Sequence, residues 1–60
     1  MKQYDVIAGD EKGDHTFEET YRTRPQAFKI ATEYKAAHKN EIVYVQEVNA
    51  EEILDDWLIK

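Results

Sequence analysis

The chain has 60 residues, a net charge of −5 and no cysteine, which limits it to one small domain without disulfides or thiolate-bound metal. No apolar run is long enough for a transmembrane helix, and the N-terminus "MKQYDVIAGD" reaches acidic residues too early for a secretory signal, so a soluble, cytoplasmic protein without a membrane partner is expected.

"QYDVIA" alternates, with Tyr4, Val6 and Ala8 on one side and Asp5 and Ile7 on the other, and predicts a strand. "GDEKGD" holds both glycines and four charges, as a turn or short loop does. "HTFEETYRT" then sets Phe17, Glu19 and Tyr21 against Thr16, Glu18, Thr20 and Arg22. Strand, glycine-containing loop and strand predict a β-hairpin.

The period changes at "TRPQAFKIATEYKAAHK". Pro25 suits a first helical turn, and Thr23 and Gln26 have capping-box spacing. Ala27, Phe28, Ile30, Ala31, Tyr34 and Ala37 share one side of the helical wheel. Asn40 is placed to end the helix. "EIVYVQEV" is a β-branched and aromatic run that predicts a strand, and its unbroken apolar stretch Ile42 to Val45 suggests a central or doubly covered one. In "NAEEILDDWLIK", Asn49 and Glu52 have capping-box spacing. At helical spacing Ile53, Leu54, Trp57 and Leu58 fall within an arc of about 140°, opposite Glu51, Glu52, Asp55 and Asp56. Ile59 alone lands among the acids.

The expected architecture is a single α+β domain over residues 1–60, in the order β-β-α-β-α. Strands are expected at about 3–8, 16–23 and 41–48, and helices at about 24–39 and 50–59. The three strands form an antiparallel sheet of order 2-1-3, with both helices on one face. The other face carries Asp5, Ile7, Thr16, Glu18, Thr20 and Arg22. Tyr4, Phe17, Tyr21, Phe28, Tyr34, Tyr44 and Trp57 are expected to supply most of the core.

Catalytic chemistry is not expected, and no cofactor is implied. No Ser or Cys stands in a nucleophile motif. Asp10, Glu11, Asp14 and His15 gather in the first loop, but their spacing departs from the EF-hand pattern and suits a solvated hairpin loop better than a metal site. His38 falls inside the apolar arc of the helix and is expected at the edge of the core.

Charge is segregated along the chain, with −3 over residues 1–23, +3 over 24–40 and −5 over 41–60. Glu51, Glu52, Asp55 and Asp56 form the expected partner-binding face of a small acidic protein–protein interaction module, an inhibitor or modulator of another protein, with the uncovered sheet face as a second candidate surface. The alternative is a nucleic-acid-binding module using Arg22, Arg24, Lys29 and Lys39. A homodimer through the open sheet face is compatible with either. In general character this short, acidic, cysteine-free α+β chain resembles the small accessory proteins of phages and mobile elements.

Overall fold

The computed structural model describes all 60 residues. Four strands and one helix follow the order β1 (Lys2–Gly9), β2 (His15–Tyr21), α1 (Arg24–Ala37), β3 (Ile42–Asn49) and β4 (Glu52–Ile59). The sheet runs β2-β1-β3-β4 and every neighbouring pair is antiparallel. Val6 lies opposite Glu19 on one side and Val45 on the other, and Val45 in turn faces Trp57. Because side chains alternate along each strand, Val6, Ala8, Val43 and Val45 turn toward the helix. Asp5, Ile7, Tyr44, Gln46, Asp56 and Leu58 turn away from it.

The core is built from small side chains. Val6, Ala8, Val43 and Val45 meet Ala27 and Ala31, all six with no solvent exposure. Ala27 and Ala31 are one helical turn apart on the same stripe, so α1 comes down close over the two central strands. The aromatics stand at its flanks and are only partly buried. Phe28 packs on Trp57 of β4 with ring centres 5.4 Å apart. Tyr34 packs on Phe17 of β2 at 4.8 Å. The expectation of an aromatic core is therefore corrected to an alanine–valine core bracketed by aromatics.

The expected three-stranded sheet with two helices is overturned. Residues 52–59 form a fourth strand beside β3, and α1 is the only helix. Asn49 pairs with Glu52 across a two-residue connection whose central residues, Ala50 and Glu51, have φ of 52° and 69°. Two consecutive positive φ values define the turn whose twist matches a β-hairpin. Asn49 is the last residue of β3 rather than a helix cap, and its Oδ1 accepts a hydrogen bond from the N-terminal ammonium at 3.2 Å. Ile59, the misfit of the helical reading, pairs with Val43 and packs against the core.

The ends of α1 also differ from expectation. Thr23 occupies the N-cap position, but its side chain makes no capping bond, so the Thr23–Gln26 box is absent; Pro25 does sit in the first turn. The helix stops at Ala37, before Asn40. The C-cap is His38, whose backbone N–H donates to the carbonyls of Tyr34 and Lys35. Lys35 Nζ donates to the carbonyls of Lys39 (3.0 Å) and Glu41 (2.6 Å), which ties the helix end to the following loop.

Two outcomes test this architecture. A left-handed L-residue costs about 1–2 kcal/mol, and glycine costs about 0.5–1 kcal/mol in chain entropy. The double substitution Ala50→Asn, Glu51→Gly therefore stabilises the fold by about 0.5–1 kcal/mol in urea unfolding, whereas a helix at this place would lose stability on gaining a glycine. Ala31→Leu forces a larger side chain between helix and sheet and costs about 1–3 kcal/mol by the same assay.

Candidate functional site

The helix covers one face of the sheet and leaves the other open. Strand pairing arranges the open face in rows. One row runs Glu18, Ile7, Tyr44, Leu58 across all four strands. The next runs Thr20, Asp5, Gln46, Asp56. Val48 and Ile53 form a third, and Ile42, opposite Gly9, stands beside the first row at the other end of β3. Leu58, Ile53 and Ile42 are 60%, 57% and 56% exposed, and Leu54 beside them is 44% exposed. Ile7 is buried on this face, under its neighbours rather than under another layer. Tyr44, Gln46, Asp56, Trp57 and Leu58 line a shallow depression of about 310 Å³.

The charges of this face are all of one sign within the strands. Asp5, Glu18 and Asp56 stand there, and no Lys or Arg does. Asp5 accepts hydrogen bonds from Thr20 (2.7 Å) and Gln3 (3.4 Å). Glu18 lies 3.7 Å from His15. No Lys or Arg pairs with any of the three acids.

On the helix side two cations meet one buried acid. Glu47 is the one buried acid and points to that side from β3. Lys2 Nζ lies 3.3 Å from one of its oxygens and Arg24 Nη2 lies 3.2 Å from the other. The Arg24 guanidinium also sits 4.7 Å from the centre of the Trp57 ring, a cation–π contact. Burial works against the Glu47 charge, but hydrogen bonds from Lys2 and Arg24 and their positive charges outweigh it, so its carboxyl titrates below the usual range.

The sequence-derived site residues are placed as follows. Glu51 is in the β3–β4 turn, and Glu52, Asp55 and Asp56 are on β4. They do not share a face: Asp55 lies opposite Glu47 on the helix side, and Asp56 lies opposite Gln46 on the open side. Of the basic set, Arg24 is held by Glu47 and Trp57, while Arg22, Lys29 and Lys39 are exposed before, on and after the helix. Thr16 is not on the open face. It is the extra residue where β2 slips its register against Ala8 and Gly9. It reaches Tyr34 at 3.1 Å and donates to the Glu41 carboxylate, which also accepts from Tyr34 OH at 2.9 Å. Arg22 lies just past the end of β2. His38 is exposed and stacks on the Tyr34 ring at 4.0 Å.

The first loop closes on itself. Asp10 Oδ1 accepts from the backbone N–H groups of Lys12 (2.9 Å) and Asp14 (3.0 Å), and Gly13 takes a φ of 87°. No three His, Asp or Glu side chains converge as a metal site needs. The exposed apolar residues Ile42, Ile53 and Leu58, and the half-buried Tyr44 among them, were missing from the sequence-derived site residues. Their signal was the run Ile42 to Val45, which has more apolar side chains than a sheet with one covered face requires.

Glu47 gives the fold a defined acid limit. A carboxyl whose folded pKa lies below its unfolded one stabilises the fold above the unfolded value, and the contribution disappears as pH falls through the folded value. Glu41 acts in the same direction. The Thr16 hydrogen bond is the main cause, burial opposes it, and Tyr34 and the charge of His38 assist. Unfolding free energy therefore declines as pH drops below the usual carboxylate range. Glu47→Gln lowers stability at neutral pH and flattens that decline, as read from urea titrations between pH 7 and pH 3. Comparison with protein-family models, with curated proteins and with solved structures finds no match to this chain.

Proposed function

We propose that the chain is a small, non-catalytic protein-binding module that works through the uncovered face of its sheet and inhibits or modulates the protein it contacts. The observation that carries this reading is the group Ile42, Ile53 and Leu58, each more than half exposed, around the half-buried Tyr44, on a face that no layer of the chain covers. Exposed apolar side chains gathered on one face, as opposed to scattered singly, mark interaction surfaces. An aromatic at the centre of the row is the residue type enriched at binding hot spots. Acids around the row keep the free module soluble and favour encounter with a complementary surface.

The reading moves the binding surface away from Glu51, Glu52 and Asp55, which border the face without lying on it. Asp56 belongs to both descriptions. Commitment of Arg24 to Glu47 and Trp57 weighs against the nucleic-acid alternative, since a phosphate would compete with a contact that the fold uses.

Affinity capture from a lysate of the source, with nuclease present, tests the reading against the variant Ile42→Ser, Leu58→Ser. Both residues are more than half exposed, so the variant stays folded at a cost of roughly 1 kcal/mol or less. The expected outcome is one stoichiometric protein held by the wild type and lost by the variant. Identical captures from both proteins, or a partner that disappears with nuclease, overturn the proposal.

A further inference from the structure

We infer that the open sheet face takes a basic amphipathic helix of another protein, laid along β3 with Lys or Arg on both flanks of its apolar stripe. This rests on the reading of that face as the binding surface and adds the chemistry of its occupant.

The width of the apolar row selects the occupant. Tyr44 and Leu58 are open to solvent on adjacent strands and Ile7 lies buried at their edge on the third, so the row forms a track that spans two interstrand spacings of about 4.8 Å, about 10 Å in all. That is the diameter of one α-helix. β3 runs eight residues from Ile42 to Asn49, of which Ile42, Tyr44, Gln46 and Val48 face the open side, about 27 Å at strand rise, which matches a helix of about 18 residues. The same sheet already accepts a helix along its central strands on the opposite face. An extended peptide would instead pair with the backbone of β2 or β4 and leave Tyr44 and Ile42 uncovered.

Charge selects the sign. Glu18 stands on β2 at the border of the track, and Asp5 and Asp56 stand in the next row on its two outer strands, with no Lys or Arg within the strands of this face. The helix layer on the far side carries Arg24, Lys29 and Lys35. A second copy of the chain meeting this one face to face would bring six carboxylates into a drying interface, which like-charge repulsion opposes. A helix with cations beside its apolar stripe meets each acid with an opposite charge.

A displayed library of 18-residue helical peptides tests this. The apolar stripe is held at i, i+3, i+4 and i+7 spacing, and the flanks are randomised among Lys, Gln and Glu. Selection on the wild-type protein is expected to enrich Lys on both flanks. Selected peptides are expected to bind about tenfold more weakly to Asp5→Asn, Glu18→Gln, Asp56→Asn, and more weakly still to all forms as salt rises. Their amide shift changes are expected on β1, β3 and β4. Enrichment of Gln or Glu flanks, with binding still abolished by Ile42→Ser, Leu58→Ser, overturns the basic helix and leaves the face as the binding surface. No enrichment, or peptides indifferent to those serines, overturns the docked helix; the capture experiment then decides separately whether the face binds at all. A dimer mass that rises with concentration and is lost in the serine variant assigns the face to a second copy and overturns the inference.

Discussion

Two alanines set the distance between helix and sheet, and the rest of the fold follows from that distance. With only a methyl group at Ala27 and Ala31, α1 lies close over Val6, Ala8, Val43 and Val45, and six small side chains suffice for a solvent-free centre. A chain of 60 residues has little apolar volume to spend, and close approach removes water without large side chains. The large ones are then free to work at the borders. Phe17 with Tyr34 closes the side toward β2, and Phe28 with Trp57 closes the side toward β4. Glu47 completes the enclosure by drawing Lys2 of β1 and Arg24 of α1 to one carboxylate, with Arg24 spread over Trp57.

The elements that declared themselves in the sequence were those with an unambiguous period or a glycine signal. The alternation of Tyr4, Val6 and Ala8, the loop with Gly9 and Gly13, and the alanine-rich stripe behind Pro25 each had one reading. The C-terminal segment had two. "EILDDWLI" fits a helical arc because a bulge at Leu54 shifts its strand alternation by one residue, and because Trp57, Leu58 and Ile59 are apolar toward both faces. Its turn was hidden too. Ala50 and Glu51 adopt positive φ without the Asn-Gly pair that usually marks such a turn. The misplacement of Ile59 was the available signal, and it pointed to a strand. The site suffered for the same reason: a period of 3.6 puts four acids on one face, whereas a period of 2 divides Asp55 from Asp56.

Reassigning one segment from helix to strand changes the electrostatics of the whole molecule. With two helices the acids would have formed a ridge on the covered side. With four strands the acids are divided between the faces, Asp55 and Glu47 with Lys2 and Arg24 on the helix side and Asp5, Glu18 and Asp56 on the open strands. An apolar row set among acids differs from an uncharged apolar face in that like charges oppose the close approach of two such rows.

The two irregularities of the sheet lie on its two outer strands. β2 carries its extra residue at Thr16, and β4 carries its own at Leu54. A long, flat outer strand is a template on which other chains can stack into aggregates. A bulge interrupts the run of evenly spaced backbone groups and adds local twist, so each border offers only a short regular stretch. The acids Glu52, Asp55 and Asp56 on β4 and Glu18 and Glu19 on β2 add repulsion between like borders. A sheet with one bare face and no closing barrel thereby resists indiscriminate growth at its sides.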